Sequence, residues 1–433
     1  MIENVLIEPE REEYPNLTSR PKKDVSQVEA LIKEIYEQVV EFGDIALVEL
    51  TERFDKCRVE NLCVSVEEVE NASVLLSSDL KEAIKVAKRN IEKFHKAQIS
   101  KPLSVQISTG IECMQRSIAI ERVGIYIPGG TAPLFSTVLM LAVPAILAGC
   151  QEIILCSPPN SEGNIHPAIL WTAQLCGVSK IFKIGGAQAI AAMSLGTDIV
   201  PKVNKVFGPG NQYVTAAKVY AQKYGVAMDM PAGPSELLVY GDLTCVPKFV
   251  AADLLSQAEH GIDSQVILVA SNAEIVDKVK KELIVQIADL PRKNIAKEAL
   301  KNSKAIVIHN KNGAFDFINE YAPEHLIIAS EDAPEYIPMI INAGSVFLGN
   351  YCPESAGDYA SGTNHTLPTD GWSKSYNGVN VDSFSRKVTF QSITKKGIQE
   401  LGDSIITMAE NEQLQAHANA VKVRLLNLKN EMV

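Results

Sequence analysis

Short apolar runs alternate with amphipathic helical segments along most of the chain from residue 123 onward. Before residue 235 the runs are EIILCSP, KIFKIGG and NKVFGPG, and each leads through a turn with glycine into a helix-like segment. After residue 235 they continue as ELLVYG, QVILVAS, KAIVIHN, HLIIAS and SVFLG. Strands that alternate with helices in this way form largely parallel sheets. The pattern therefore predicts an α/β protein with two domains.

The two ends of the chain have a helical pattern instead. The N-terminal segments VSQVEALIKEIYEQVVEFG and LKEAIKVAKRNIEKFHKAQ carry apolar residues at steps of three and four, and we expect them to pack on the second α/β domain. The tail is helical from about Thr394, with one apolar stripe that a second subunit could cover. We place an arm at 1–23, α/β domains at 24–122 plus 237–380 and at 123–236, and a helical arm at 381–433.

The segment DLLSQAEHG places an amide and an imidazole three residues apart, at Gln257 and His260. On a helix this spacing puts both side chains on one face. Pro247 suits the first helical position and Gly261 suits the C-terminal stop. Such pairs are more often solvated helix faces than ligands, so the hypothesis of a metal-assisted acid/base site rests on the whole set of candidate residues.

Further acid and base groups follow along the chain. Glu324 and His325 come after a proline and directly before an apolar strand, where proton transfer is possible, although a surface turn would explain them equally well. Asp358 and His365 flank a loop rich in glycine and serine, and turn-building alone could explain that loop. The tail adds a last pair five residues apart, about 140° around a helix, so one member is expected at a helix start. This pair is Glu412 and His417.

Three glycine-rich turns, IPGGTAP, IGGAQAI and FGPGNQYV, lie where a strand should meet a helix. Backbone N–H groups in such turns can face an anionic cofactor. None of them completes the dinucleotide fingerprint G-x-G-x-x-G, since Tyr213 occupies the third glycine position of the nearest one. Tight turns that need glycine for their backbone conformation are an equally good interpretation of any single one.

Composition narrows the partners and the compartment. The net charge is −11 with no basic stripe, which disfavours nucleic acid and anionic membranes and favours a small-molecule ligand. The eight cysteines lack metal-binding or paired spacing, and the N-terminus lacks a secretory signal, so we expect reduced thiols in a cytoplasmic protein. The stretch Val123 to Gln151 carries no charge, but its prolines and glycines predict a buried turn and helix rather than a membrane span.

Eight ordered segments together resemble histidinol dehydrogenase. They are VGIYIPGGTAPLFSTVLMLAVPA, IGGAQAIAAMSLGT, FGPGNQYVTAAK, MPAGPSELLV, DLLSQAEHG, YAPEHL, GDYASGTNHTLPT and EQLQAHANAV, and they span nearly the whole chain. The resemblance implies two Rossmann-like domains that lack the usual dinucleotide fingerprint, with helical N- and C-terminal extensions. It also implies the last step of histidine biosynthesis, in which L-histidinol becomes L-histidine through L-histidinaldehyde while two NAD are reduced.

The resemblance assigns roles residue by residue. One Zn²⁺ per subunit would be bound by Gln257, His260, Asp358 and His417, a nitrogen and oxygen set that suits zinc without thiolates. His325 resembles the base that takes the alcohol proton, and Glu324 resembles the group that activates water. Substrate contacts match Ser235, Glu412 and His365 in addition to the metal ligands and His325. NAD contacts match Tyr126, Gln188 and Asn211, which lie on the three glycine-bearing turns.

The family is also a homodimer with exchanged C-terminal arms, so Glu412 and His417 would come from the partner chain. Domain 123–236 would contact NAD, and the domain formed by 24–122 and 237–380 would carry most metal and catalytic residues. One alternative is a related zinc and NAD dehydrogenase for another small alcohol, such as a sulfonated propanediol. Another is a non-enzymatic two-lobed solute-binding protein, which the missing signal peptide and the clustered acid/base groups disfavour.

Overall fold

The structure is a computed structural model, and it describes residues 2–20, 26–129, 132–231 and 233–431. The strands are β1 Asn4–Ile7, β2 Leu103–Ser108, β3 Ile111–Ala119, β4 Arg122–Tyr126, β5 Glu152–Ser157, β6 Lys180–Lys183, β7 Lys205–Phe207, β8 Ala227–Met228, β9 Glu236–Gly241, β10 Gln265–Ala270, β11 Lys304–Val307, β12 His325–Ala329, β13 Ser345–Leu348 and β14 Ser385–Ile393. The helices are α1 Tyr14–Leu17, α2 Ser26–Phe42, α3 Asp44–Asp55, α4 Val66–Val74, α5 Ser78–Lys96, α6 Phe135–Ala148, α7 Pro167–Leu175, α8 Gly186–Leu195, α9 Gln212–Ala221, α10 Pro247–Ala258, α11 Ala273–Ile287, α12 Lys293–Lys301, α13 Lys311–Tyr321, α14 Glu354–Tyr359, α15 Lys395–Asn411 and α16 Gln415–Asn430.

The chain divides into two compact units, one formed by residues 1–98 and 120–384 and the other by residues 99–119 and 385–433. The first unit contains two parallel sheets, in the strand orders β1-β11-β10-β9-β12-β13 and β6-β5-β4-β7-β8. Strands such as β9, β10 and β12 are buried at every residue, as expected for parallel strands covered by helices on both faces. The predicted α/β class with largely parallel sheets is confirmed.

The N-terminal segment 2–20 joins the six-stranded sheet, because β1 pairs with β11 at its edge. The helices that follow cover the five-stranded sheet. Ile32 and Tyr36 of α2 and Leu47 of α3 share one core with Phe182 and Ile190, while α5 joins a second core with α6. The expectation that these N-terminal helices pack on the second α/β domain is therefore wrong. Their apolar stripes fit either sheet, and the sequence pattern did not distinguish between the two.

The charge-free stretch from Val123 folds as strand β4 and helix α6, and both are buried in the core of the five-stranded sheet. Pro144 lies inside α6, where it replaces an N–H donor without ending the helix. In the described ranges no helix is long and apolar enough to cross a membrane. All eight cysteines are free thiols, and four of them are buried. The predictions of a buried turn and helix and of reduced cysteines agree with the structure.

The second unit is an antiparallel sheet in the order β14-β3-β2 together with the helices α15 and α16. The tail region at 381–433 was predicted as a helical arm, but after a short 3-10 helix at Val381–Phe384 it contains the nine-residue strand β14, which pairs with β3 along its whole length. Helix α15 begins at the N-cap Thr394, whose hydroxyl accepts a hydrogen bond from the Gly397 amide. The predicted helical segment from about Thr394 is therefore confirmed.

Candidate active site

The candidate catalytic residues lie at the amino edge of the six-stranded sheet. Helix α13 ends at Tyr321, because the next residue, Ala322, has a left-handed backbone (φ 52°) and the proline at 323 prevents continuation. The chain then enters β12, whose first residue is His325. In the sheet His325 is registered with Leu237 on β9 and Ser345 on β13, so its side chain lies among the starts of three strands.

His325 is surrounded by three carboxylates although it is only 4 % exposed. Its Nδ1 lies 3.3 Å from Glu354 Oε1 and 3.6 Å from Glu324 Oε2, and its Nε2 lies 3.5 Å from Asp358 Oδ1. Neither ring nitrogen has a hydrogen bond in the structure, and the same holds for both carboxylate oxygens of Glu354. Buried polar atoms without partners are rare in proteins and require an explanation, such as a catalytic role or a missing ligand.

The carboxylates determine how readily His325 binds a proton. Burial lowers the pKa of His325, but the negative charges of Glu354 and Glu324 and the contact with Asp358 raise it by more, so the pKa lies well above its usual value. Burial raises the pKa of Glu354. Burial tends to raise the pKa of Asp358 as well. The neighbouring His325 lowers this pKa by a larger amount, so the net shift is downward. The cluster therefore favours an imidazolium.

Glu324 is held by the neighbouring strand. Its Oε2 accepts a hydrogen bond of 2.9 Å from the backbone N–H of Glu236, the first residue of β9. Glu236 itself is tied by a bidentate pair to Arg20, at 2.7 and 2.8 Å, and accepts a hydrogen bond from Tyr321. Because both carboxylates are fixed by rigid elements, Glu324 keeps a defined orientation beside His325.

Gln257 lies in the last turn of α10 and is fully buried, and neither its Nε2 nor its Oε1 has a hydrogen-bond partner. Pro247 begins this helix as predicted. The helix ends at Ala258, so His260 lies in the turn that follows it and is exposed. The prediction that Gln257 and His260 share one helical face is therefore wrong in detail, since the helix stops two residues earlier than the Gln-x-x-His spacing requires.

His365 lies beside Asp358, as the sequence predicted for the two ends of this loop. Its Nδ1 donates a 2.7 Å hydrogen bond to the Asp358 backbone carbonyl, which fixes the proton on Nδ1. Its Nε2 lies 3.1 Å from the Thr137 hydroxyl, which then acts as the donor. Burial lowers the pKa of His365, so this ring is neutral.

One group of side chains in the described part of the chain has the geometry of a metal site. It consists of His325, Glu354 and Asp358, and one ligand atom from each lies within 4.8 Å of the others. This group shares only Asp358 with the set predicted from the sequence. Gln257 was predicted as a ligand, and its orphaned amide oxygen is of the type that coordinates a cation. The cluster itself indicates that a positively charged group can lie beside Asp358.

The three predicted cofactor residues lie at the carboxyl edge of the five-stranded sheet. Tyr126 ends β4, and its hydroxyl accepts a 3.0 Å hydrogen bond from the Gly186 amide. Gln188 lies in the first turn of α8 and donates to Asp55 at 3.2 Å. Asn211 is the N-cap of α9, because its Oδ1 accepts from the amides of residues 213 and 214. All three line a cavity of about 1070 Å³.

A second cavity of about 1710 Å³ lies over the amino edge of the six-stranded sheet. Ser235, His260, Glu324 and His365 line it, which brings the two predicted substrate residues Ser235 and His365 together with a metal and a catalytic candidate. Asn211 and Tyr213 line both cavities, so the two adjoin at the start of α9. The predicted catalytic residue Glu324 and the predicted cofactor residues Tyr126 and Gln188 therefore line adjoining cavities.

Glu412 and His417 belong to the second unit. Glu412 caps the end of α15, and His417 is in the first turn of α16. Gln413, which lies between them, has a left-handed backbone (φ 61°), so α15 cannot continue directly into α16. The expectation that one member of this pair lies at a helix start is confirmed. The roles predicted for both residues stay predictions.

Two residues of the site were missed from the sequence. Glu354 precedes Asp358 by four residues in CPESAGDYA, a spacing that puts both carboxylates on one side of α14, and this spacing could have revealed it. Asp55 ends α3 and has no motif around it, so only the fold brings it to Gln188.

Comparisons with known proteins agree with this geometry. The sequence model of the family described as histidinol dehydrogenase matches residues 18–425. Histidinol dehydrogenase of Bacteroides thetaiotaomicron is 54 % identical over 97 % of this chain and 98 % of its own length. That of Escherichia coli K12 is 48 % identical over 97 % of this chain and 96 % of its own length. The crystal structure of histidinol dehydrogenase from Elizabethkingia anophelis is 51 % identical, covers 98 % of both chains and superposes with a TM-score of 0.96. This chain therefore belongs to the histidinol dehydrogenase family.

Proposed function

We propose that this protein oxidises L-histidinol to L-histidine through L-histidinaldehyde, as the last step of histidine biosynthesis in the cytoplasm. The balanced reaction consumes one histidinol, two NAD⁺ and one water, and it yields histidine, two NADH and three protons. The observation that carries the proposal is the buried cluster of His325, Glu324, Glu354 and Asp358, whose member Glu324 lines a cavity that adjoins a second one. Membership of the histidinol dehydrogenase family supports histidinol as the substrate.

The donor set fits a zinc ion. Gln257 Oε1 is buried without a hydrogen-bond partner, and Asp358 stays ionised because the neighbouring His325 lowers its pKa. We propose that Gln257, His260 and Asp358 hold the metal together with His417 of the partner subunit, in an arrangement that leaves room for substrate nitrogen atoms. When bound, the zinc holds the amino and imidazole groups of histidinol, and NAD accepts a hydride in each oxidation.

His325 takes the proton of the alcohol in the first oxidation. Because the resting cluster favours the imidazolium, the ring first releases its own proton, and after it takes the alcohol proton Glu354 and Glu324 stabilise the imidazolium that forms again. The position of the ring on the first residue of a central strand limits its movement. Because the site is buried, the proton stays on Nε2 or Nδ1 until the cluster passes it on.

Glu324 activates water for attack on the aldehyde in the second oxidation. The backbone N–H of Glu236 holds one of its carboxylate oxygens, which leaves the other available to accept a proton from water. His325 then takes the proton of the resulting hydrate as the second hydride leaves. His365 contacts the substrate as a neutral ring, and its proton stays on Nδ1 because the Asp358 carbonyl accepts it.

Tyr126, Gln188 and Asn211 hold the cofactor, which is supported by their place around the cavity that adjoins the catalytic one. Ser235 contacts the substrate, since it lines the catalytic cavity. Glu412 and His417 complete the substrate site of a homodimer with exchanged C-terminal arms. Helix α15 covers much of the apolar stripe of the tail, whereas Met408 and Leu426 stay exposed and offer an apolar surface to a partner.

The first test is the count of NADH formed for each L-histidinol consumed by purified, zinc-loaded protein. We expect two NADH per substrate, loss of activity with a chelator and recovery with zinc. Activity with a sulfonated propanediol but none with histidinol would assign this chain to the sister specificity instead. Ligand binding without NADH formation would favour a solute-binding protein.

Two variants test the division of labour between the two bases. His325→Ala should lose the alcohol oxidation by roughly a hundredfold or more, because the general base is removed, while zinc content stays unchanged. Unchanged turnover would refute the role of His325.

Glu324→Ala should slow the oxidation of L-histidinaldehyde more than that of L-histidinol, because only the second oxidation needs activated water. The two rates are measured separately in single-turnover experiments. Equal losses in both steps would contradict the assignment of Glu324.

A further inference from the structure

The cavity around Gln188 contains a carboxylate that no motif indicates. Asp55, the last residue of α3, lies at the start of α8, where its Oδ2 accepts a 3.2 Å hydrogen bond from Gln188 Nε2. A backbone hydrogen bond from Gly185, the N-cap of α8, also reaches this carboxylate. Gly185 has no side chain with which to cap the helix, so a residue from another helix supplies the anion there.

Asp55 fixes the orientation of Gln188. An ionised carboxylate only accepts hydrogen bonds, so the amide must turn its Nε2 toward Asp55 and its Oε1 away from it. The oxygen then lies over Gly186, where a Cβ atom would approach it to 2.9 Å. Burial raises the pKa of Asp55 to about 6, which leaves the carboxylate charged at neutral pH.

The cavity holds the adenosine half of the cofactor if the proposed function is correct. The nicotinamide must meet the substrate beside His325, so the other half extends past Asn211, where the two cavities meet, toward Asp55. Among the described residues that line the Asp55 cavity there is no lysine or arginine. Glu68 lines it as well, but Lys183 neutralises this carboxylate at 2.5 Å. Asp55 is therefore the partly buried carboxylate that lines this cavity without a cationic partner among the described residues.

We infer that Asp55 is the residue that selects NAD over NADP, because its carboxylate accepts hydrogen bonds from the adenosine ribose hydroxyls and repels a phosphate on the 2′ oxygen. In dinucleotide-binding folds an acidic residue commonly binds this hydroxyl, whereas NADP enzymes place an arginine there. Here the acidic residue comes from a helix N-terminal to the sheet, not from the strand and turn that the usual fingerprint would supply. The inference rests on the proposed use of this cavity by the cofactor.

The test compares the adenosine halves of the two cofactors as probes, 5′-AMP for NAD and 2′,5′-ADP for NADP, by calorimetry on the full-length protein. The wild type should bind 5′-AMP and discriminate against 2′,5′-ADP. Asp55→Asn should improve the affinity for 2′,5′-ADP relative to 5′-AMP by roughly tenfold or more, since like charges no longer meet. Glu162→Gln, which removes an exposed carboxylate of the same cavity, should leave this ratio unchanged. Asp55→Ser provides a second neutral variant if the asparagine variant does not fold.

Catalytic rates provide an independent readout. In Asp55→Asn the ratio of kcat/KM for NAD to that for NADP should fall in parallel with the binding ratio, while KM for histidinol stays the same. An unchanged ratio in both neutral variants, or a wild type that binds neither probe, would overturn the inference. If the wild type formed no NADH from histidinol, the proposed function would fail instead, and the binding ratio would still test Asp55.

Discussion

The most informative stability test concerns a buried ion pair below the glycine-rich loop that ends in Asn211. Lys218 on α9 is fully buried, and its ammonium donates to Asp229 Oδ1 at 2.6 Å and to the Gly208 carbonyl at 2.9 Å. Asp229 in turn accepts from the Gly208 amide at 2.8 Å and the Met230 amide at 2.7 Å. The pair therefore ties the start of the loop, at Gly208, to α9.

Lys218→Met leaves the Asp229 charge buried without its cation. Breaking a buried pair in this way costs about 3–5 kcal/mol of the free energy of unfolding. An unfolding entropy of about 2.1 cal/mol/K per residue, applied to 433 residues, converts this loss into a decrease of roughly 3 to 6 °C in the melting temperature. Calorimetry or fluorescence-monitored melting measures the shift. The KM for NAD should rise as the loop loosens, while the KM for histidinol should not change.

The double variant Lys218→Met with Asp229→Asn separates charge from packing. It removes the unpaired charge, so it should regain part of the stability that the single variant loses, and the two changes should not add. Lys278→Met is the matched control, because this lysine forms an exposed pair within α11. A Lys218→Met protein that melts at the wild-type temperature, or strictly additive losses in the double variant, would refute the reasoning.

Two further predictions concern buried carboxylates on the helices of the six-stranded sheet. Glu354→Gln should reduce turnover roughly tenfold to a hundredfold, because the imidazolium of His325 loses a charge 3.3 Å away. The melting temperature should not fall, because the substitution removes a buried carboxylate that has no hydrogen bonds. Reduced stability with full turnover would argue against this role. Asp253 has a pKa raised by burial to about 7, so its ionisation destabilises the folded state progressively as the pH rises from about 4 to 7. Asp253→Asn should therefore stabilise the protein at pH 8, by at most about 4 kcal/mol, but not at pH 4, and an equal effect at both pH values in denaturant titrations would contradict the shift.

Secondary structure could be predicted from the sequence wherever the hydrophobic pattern and a local motif indicate the same element. The buried runs of β9, β10 and β12 and the proline start of α10 could be predicted because each depends on local composition. The neighbourhood of His325 could be predicted only in part. Its contact with Glu324 is visible in the sequence, whereas its contact with Glu354 depends on how α14 packs against β12.

The sequence could not determine which of two similarly apolar surfaces a helix packs against. The apolar stripe of α2 fits either parallel sheet, and only the completed fold shows that Ile32 and Tyr36 pack against the five-stranded one. Asp55 reaches Gln188 across more than a hundred residues, so no local spacing could connect them. The strand β14 was missed because alternation in SRKVTFQSI is weak and most of its residues are exposed.

The cofactor cavity lies at the carboxyl edge of its sheet and the catalytic cavity at the amino edge of the other sheet, so helix termini of opposite polarity border the two cavities. Helix α10 ends beside the catalytic edge, whereas α8 and α9 begin beside the cofactor cavity. A helix carries about half a negative charge at its end and half a positive one at its beginning. Backbone polarity alone thus favours a cation where histidinol would be oxidised and anionic phosphates where the dinucleotide would lie. Because these two fields come from separate stretches of the chain, substitutions that exchange the alcohol and substitutions that exchange the cofactor can accumulate independently on this scaffold.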